Sequence, residues 1–181
     1  MVSLKSMTLV HAPLERCFRL SVSIDLTMAA TAQKAIAGVT KGLIGPGETV
    51  TWQGRHFGWK FTHESLIEVW RPFSYFRDVM VSGAFKAYEH DHHFAVMDDG
   101  TRIRDEVRFI APMGFAGRVA ETMLLKKRIG AMIRARNALI KRVAESDEWH
   151  DYLDGQPELD QRVYQALSAT AHLDEDRSYA K

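Results

Sequence analysis

Two histidines two residues apart, His90 and His92, stand upstream of Asp105, an acidic residue set in an apolar alternation. An imidazole oriented by a carboxylate moves protons near neutral pH, which is the chemistry of a general acid or base. In that reading His92 is the acid/base, Asp105 orients it and His90 assists. Two imidazoles and a carboxylate also match a facial metal triad in composition. Sharing one sheet face is not a coordination geometry, however, so no metal is expected. The plainer reading, a hydrogen-bonded network that holds strand register around a cavity, carries more weight than catalysis.

These residues need strands to position them, and the sequence supplies an alternating pattern. Strands are expected over residues 35–44, 49–56, 59–70, 75–82, 85–97 and 101–111, after a short strand at 6–10. Gly45-Pro46-Gly47, Phe57-Gly58, Arg71-Pro72, Gly83 and Asp98-Asp99-Gly100 punctuate them. Connectors this short imply an antiparallel meander. A helix entered at Pro13 is expected over 13–20, and 21–30 is left open between a short helix and a loop. From 115 to 144, Val119, Met123, Leu124, Ile129, Met132, Ile133, Leu139, Ile140 and Val143 recur at helical spacing. That is one amphipathic helix, with Gly130 as the place for a bend, long enough to cross a sheet. A further helix is expected at 158–171, beyond Gly155-Gln156-Pro157.

Neighbouring strand residues point to opposite faces, so the inner set can be sorted. Ile103, Asp105, Val107 and Phe109 alternate with Arg102, Arg104, Glu106 and Arg108, which makes the first set interior. By the same test Tyr88, His90, His92, Phe94 and Val96 face inward, as do Trp59, Phe61, His63, Ile67 and Val69. A primed turn at Asp99-Gly100 sets Phe94 opposite Asp105 and His92 opposite Val107, with His92 and Asp105 as diagonal neighbours about 7 Å apart. A turn at Phe57-Gly58 sets His56 opposite Trp59 and Trp52 opposite His63, and a connection through Gly83 sets Asp78 opposite His90. Whether Asp78 itself faces inward stays open. The inner surface is then aromatic and aliphatic, interrupted by His56, His63, His90, His92 and Asp105, polar groups that a wet cavity would satisfy.

Composition narrows the class. At 181 residues, with 46% hydrophobic and 26% charged, the chain is globular rather than disordered, and its length suits one domain with decoration. Twenty-four basic against 23 acidic side chains leave a charge of +1, so no nucleic-acid partner is expected. The basic residues of the long helix, Arg118, Lys126, Lys127, Arg128, Arg134, Arg136, Lys141 and Arg142, read as a solvated face balanced by the acidic start of the tail. A single cysteine, Cys17, excludes an intramolecular disulfide and reads as a small buried hydrophobe. With no signal pattern and no apolar run of spanning length, a cytoplasmic protein without integral membrane contact is expected.

Gly42-Leu43-Ile44, Val50-Thr51-Trp52, Arg55-His56-Phe57-Gly58, Phe76-Arg77-Asp78, Gly83 with Phe85, His90 and His92 with Phe94, and Asp105 before Pro112 and Gly114 resemble the bacterial SRPBCC proteins, START-like and polyketide-cyclase-like. The resemblance also takes in residues 12–25 and the basic closing helix, and covers roughly 8–146. It implies an α+β helix-grip fold: a curved antiparallel sheet of six or seven strands wrapped around a long C-terminal helix, with a hydrophobic cavity between them. On that reading residues 1–146 are the domain and 147–181 an acidic extension. Family members differ widely in activity, so fold alone does not choose a function. No additional Cys-His cluster of the kind an iron-sulfur oxygenase carries is present.

The function expected is binding of a hydrophobic or amphipathic small molecule, lipid- or polyketide-like, with no cofactor. Trp52, His56, Trp59, Phe61, His63, Tyr88, His90, His92, Phe94, Asp105, Val107 and Phe109 are the expected contacts. The alternatives are a cyclase/dehydratase- or hydrolase-like enzyme in which His92, Asp105 and His90 are catalytic, and a protein-binding adaptor. Homo-oligomerisation is left open.

Overall fold

Alternation along the chain closes into one curved antiparallel sheet, described in a computed structural model for residues 1–56, 59–111 and 118–156. Its strands are β1 (Val2–Val10), β2 (Lys34–Gly38), β3 (Thr49–His56), β4 (Trp59–Arg71), β5 (Tyr75–Ser82), β6 (Ala87–Met97) and β7 (Gly100–Ile110). They lie in the order β1-β7-β6-β5-β4-β3-β2, a meander to which the N-terminal strand adds itself beside the last. Helices α1 (Leu14–Ser21) and α2 (Ile24–Ala30) follow β1, and the long α3 (Arg118–Ala144) and short α4 (Trp149–Leu153) follow the sheet. This is the expected helix grip. No helix among the described residues is long and apolar enough to cross a membrane.

Two features of the strand reading are corrected. The strand expected at 35–44 ends at Gly38, whose φ of 70° and approach to the Thr49 carbonyl leave no room for a side chain. The chain then turns away, and Leu43 and Ile44 are buried against the start of α2, where Ile24 N–H donates to Gly42 C=O and Ile44 N–H to Val22 C=O. The β6–β7 register also differs by two residues. Met97 pairs with Gly100 and His92 lies directly opposite Asp105, so the two-residue loop is Asp98-Asp99. Gly100 is needed as the first residue of β7 because a Cβ there would lie 2.2 Å from the Val10 carbonyl oxygen. A two-residue shift preserves which side chains face inward, whereas a one-residue slip would have reversed them.

The remaining expectations of pairing are met. Trp52 lies opposite His63, His56 opposite Trp59 and Asp78 opposite His90. On the outer face Asp91 ties three strands together, accepting from Arg77 Nε of β5 at 2.7 Å and from Arg108 Nη2 of β7 at 2.7 Å. The open segment 21–30 is a helix, started by Ser23, whose Oγ accepts from Leu26 N–H at 3.2 Å.

One part of the core centres on Phe18 of α1, which is fully buried. Its ring meets Trp70, Phe73, Phe76 and Phe94 edge-on at centroid separations of 5.0 to 5.7 Å. A second part joins Ile129 and Ile133 of α3 to Tyr88, Val107 and Phe109 of the sheet. Within α3, Ile140 and Val143 are also buried, but Met123 and Leu124 are exposed, so the apolar stripe reads too long at its start. The residues after α3 include Leu153, which is buried, and Trp149, over whose ring the Arg16 guanidinium sits at 4.5 Å. The helix expected at 158–171 lies outside the described residues.

Phe18→Ala should cost about 3–5 kcal/mol, the usual loss for emptying a buried aromatic site. Urea unfolding would show this as a lower midpoint at unchanged slope.

Candidate functional site

Strand register brings four ionisable side chains to one place on the inner face. Asp78 on β5 is paired with His90 on β6, and His92, two residues on, is paired with Asp105 on β7. The two imidazoles lie with ring centroids 3.8 Å apart and planes tilted by 35°, and the Phe76 ring stacks over His92 at 4.0 Å. Each imidazole therefore stands between two carboxylates.

Asp105 is completely buried. Its Oδ1 lies 3.0 Å from His90 Nε2 in hydrogen-bond geometry, and its Oδ2 accepts from Asn137 Nδ2 of α3 at 2.6 Å. His92 Nδ1 is also 3.0 Å from Oδ1, near enough for charge attraction but off the line of a hydrogen bond. Burial alone would push the Asp105 carboxyl up, yet the approach of both histidines outweighs it and holds the group well below the ordinary carboxylate range. An ionised carboxylate only accepts, so the His90 proton belongs on Nε2 and its Nδ1 is left as a bare lone pair. Asp78 behaves alike: burial opposes ionisation, but His92 Nε2 at 3.1 Å and the neighbouring histidines lower its pKa. His90 Nδ1 lies 3.8 Å from Asp78 Oδ2, beyond hydrogen-bond reach. Burial, and then the adjacent His92, push the His90 pKa down.

Arg136 closes the group from α3. It is buried, donates Nη2–H to the Ser21 carbonyl, and holds Nη1 4.0 Å from Asp105 Oδ1. Nη1 makes no hydrogen bond among the described residues. Burial lowers the Arg136 pKa against the pull of Asp105 and Asp78. Tyr88 stays a phenol, its pKa raised by burial and by the same two carboxylates.

This group forms the inner end of a cavity of about 410 Å³ between the sheet, α2 and α3. Asp78, His90, His92 and Arg136 all line it, alongside Trp52, Phe61, His63 and Tyr88. Ile24, Ile67, Ile129 and Ile133 supply aliphatic wall, while Arg55, Arg128 and Ala131 are exposed lining residues that mark the mouth. Burial lowers the His63 pKa too, so it is neutral at neutral pH, with its ring 5.2 Å from that of Tyr88.

Of the residues picked out from sequence, Trp52, Phe61, His63, Tyr88, His90 and His92 are brought together on the cavity wall. Phe94, Asp105, Val107 and Phe109 do not line it. Phe94 packs in the Phe18 cluster, Val107 and Phe109 sit beneath α3, and Asp105 acts on the cavity through the histidines. The side chains of His56 and Trp59 lie outside the described residues. Asp78 is an inner residue, which settles the open face of β5.

Sequence reasoning misses Arg136 and Asn137, and it places Arg136 on the solvated face of the helix. The spacing of Arg136 carries a signal all the same: 129, 133, 136, 140 and 143 form a 4-3-4-3 series, and Arg136 holds the middle place in an otherwise apolar stripe.

No family model matches the sequence, and no curated protein matches it either. Solved structures do share its fold. The protein TTHA0849 of Thermus thermophilus superposes with a TM-score of 0.63 at 16% identity, over 79% of this chain and 99% of that one. The di-domain ARO/CYC StfQ of the steffimycin biosynthetic pathway gives 0.66 at 11% identity, over 81% of this chain and 51% of StfQ. A START superfamily protein of Mycobacterium smegmatis gives 0.58 at 10% identity, over 79% and 97%.

Removing Asp105 leaves the His90 Nε2 and Asn137 Nδ2 donors buried without their acceptor, and Arg136 without its nearest carboxylate. Asp105→Ala should therefore cost about 3–5 kcal/mol, while His150→Ala, at an exposed pair with Asp154, should change stability by less than about 0.5 kcal/mol. Chemical denaturation of both variants beside the parent protein checks the contrast.

Proposed function

From the START-like helix-grip fold as premise, we propose that this chain binds a hydrophobic or amphipathic small molecule, lipid- or polyketide-like, in the cavity between sheet, α2 and α3. The observation that carries the reading is the cavity's division: apolar walls from Trp52, Phe61, Ile129 and Ile133 lead to an inner end of Asp78, His90, His92 and Arg136. Its volume of about 410 Å³ lies within the range of small-molecule sites, about 300–1,000 Å³. An apolar body would be driven in by burial, and an oxygen on its head would take the hydrogen bond that Arg136 Nη1 lacks among the described residues. That one similar structure is an ARO/CYC protein of a biosynthetic pathway is in keeping with a polyketide-like occupant.

A second reading, proton-transfer catalysis on the bound molecule, has one observation in its favour. His90 lines the cavity with a bare Nδ1 while Asp105 holds its other nitrogen. This makes His90 the better acid/base candidate, with the tilted ring of His92 beside it.

Native mass spectrometry of the protein purified from its own host's lysate, with denaturing extraction of whatever is released, tests binding. One small molecule per chain is expected. Ala131→Trp at the mouth should remove it while the ligand-free variant and ligand-free parent protein melt at the same temperature, because Ala131 is exposed. A chain that stays empty after incubation with host lipid extract would overturn the reading.

A further inference from the structure

At the inner end of the cavity His90 Nδ1 stands beside the His92–Asp78 hydrogen bond without taking part in it. His90 and His92 are two apart on β6, so both imidazoles leave one face, and β5 pairing sets Asp78 beside them. His90 Nδ1 and His92 Nε2 lie 3.8 and 3.1 Å from Asp78 Oδ2. One ligand-capable atom from each of the three residues can be chosen so that all lie within 4.8 Å of one another. Ligand atoms each about 2.0 Å from a tetrahedral ion are separated by about 3.3 Å, between those two distances.

We propose that His90 Nδ1, His92 Nε2 and Asp78 Oδ2 bind one divalent first-row transition ion of the Zn²⁺ class, which displaces the proton that His92 Nε2 donates to Asp78. Two imidazoles and a carboxylate suit such an ion, whereas Mg²⁺ and Ca²⁺ select oxygen ligands and thiolate sites need cysteine. The only cysteine, Cys17, is buried away from the cavity wall. Three protein ligands leave a coordination position open, and all three line the cavity, so that position faces an entering molecule.

The surroundings support the same ion. Asp105 accepts from His90 Nε2 on the side away from Asp78, the outer carboxylate–histidine contact that orients imidazole ligands in metal sites. Asn137 braces that carboxylate and Arg136 approaches it, so the charge of Asp105 is compensated while that of Asp78 faces the ligand nitrogens. The inference stands on side-chain geometry and does not depend on which small molecule the cavity takes.

The test uses the full chain, stripped with a chelator and titrated with Zn²⁺ by calorimetry, and with Co²⁺ as a spectroscopic probe. One Zn²⁺ per chain is expected, with visible Co²⁺ bands of a low-symmetry nitrogen/oxygen site. His92→Ala and Asp78→Ala should each abolish both signals while far-ultraviolet circular dichroism shows a folded chain. His90→Ala is the substitute should either variant fail to fold. Asp105→Asn should weaken Zn²⁺ by about 10- to 100-fold, and His150→Ala should leave it unchanged. A folded parent protein that takes up neither ion, or uptake that survives both His92→Ala and Asp78→Ala, would overturn the proposal. Extraction of an organic ligand from the same preparation is read separately. Metal uptake without any organic ligand would sustain this site and count against the small-molecule reading, and the reverse result would do the opposite.

Discussion

The buried carboxylate of Asp105 is the constraint around which the inner face is organised. A charge with no solvent access must be met by donors from the protein, and here they come from β6 and α3. The bond from His90 orients the imidazole across the sheet, and the bond from Asn137 ties the long helix to the same point. One acidic residue in an apolar strand thus links strand register, helix placement and the direction of a histidine lone pair.

Outside the cavity a second carboxylate complements it. Asp91 sits between the two histidines in sequence but points to the opposite face, where Arg77 and Arg108 bridge to it from the strands on either side. Its pKa is lowered: burial opposes ionisation, but the Tyr75 hydroxyl and these cations outweigh it. The outer clamp opposes register slip, and a slip of one residue would turn His90 and His92 out of the cavity. Polar bonds on both faces therefore specify what apolar alternation alone would leave free to slide.

Much of this is legible in the sequence because strands have a strict period of two. Ile103, Asp105, Val107 and Phe109 declare an inner face, and short connectors declare a meander. What alternation does not fix is loop length. Asp98-Asp99-Gly100 offers two placements of a two-residue turn; the chain turns at Asp98-Asp99, and Gly100 enters β7 beside the Val10 carbonyl, where a side chain would not fit. The same limit hides the site's remaining parts. Asn137 and Arg136 meet Asp105 from a helix that begins only after the sheet is complete, contacts that no local pattern encodes. Arg136 is still partly visible as the one charge in the 4-3-4-3 series of α3. Leu43 and Ile44 mislead because an apolar pair before Pro46 looks alike whether it continues a strand or folds against a helix.

The central claim is that Asp105 fixes the proton of His90 on Nε2 and leaves Nδ1 bare toward the cavity. Long-range ¹H–¹⁵N correlation of the imidazole groups near neutral pH reads this directly. A protonated Nε2 and a pyridine-like Nδ1 for His90 are the result predicted. A proton on Nδ1, with Nε2 bare against the carboxylate, would contradict it.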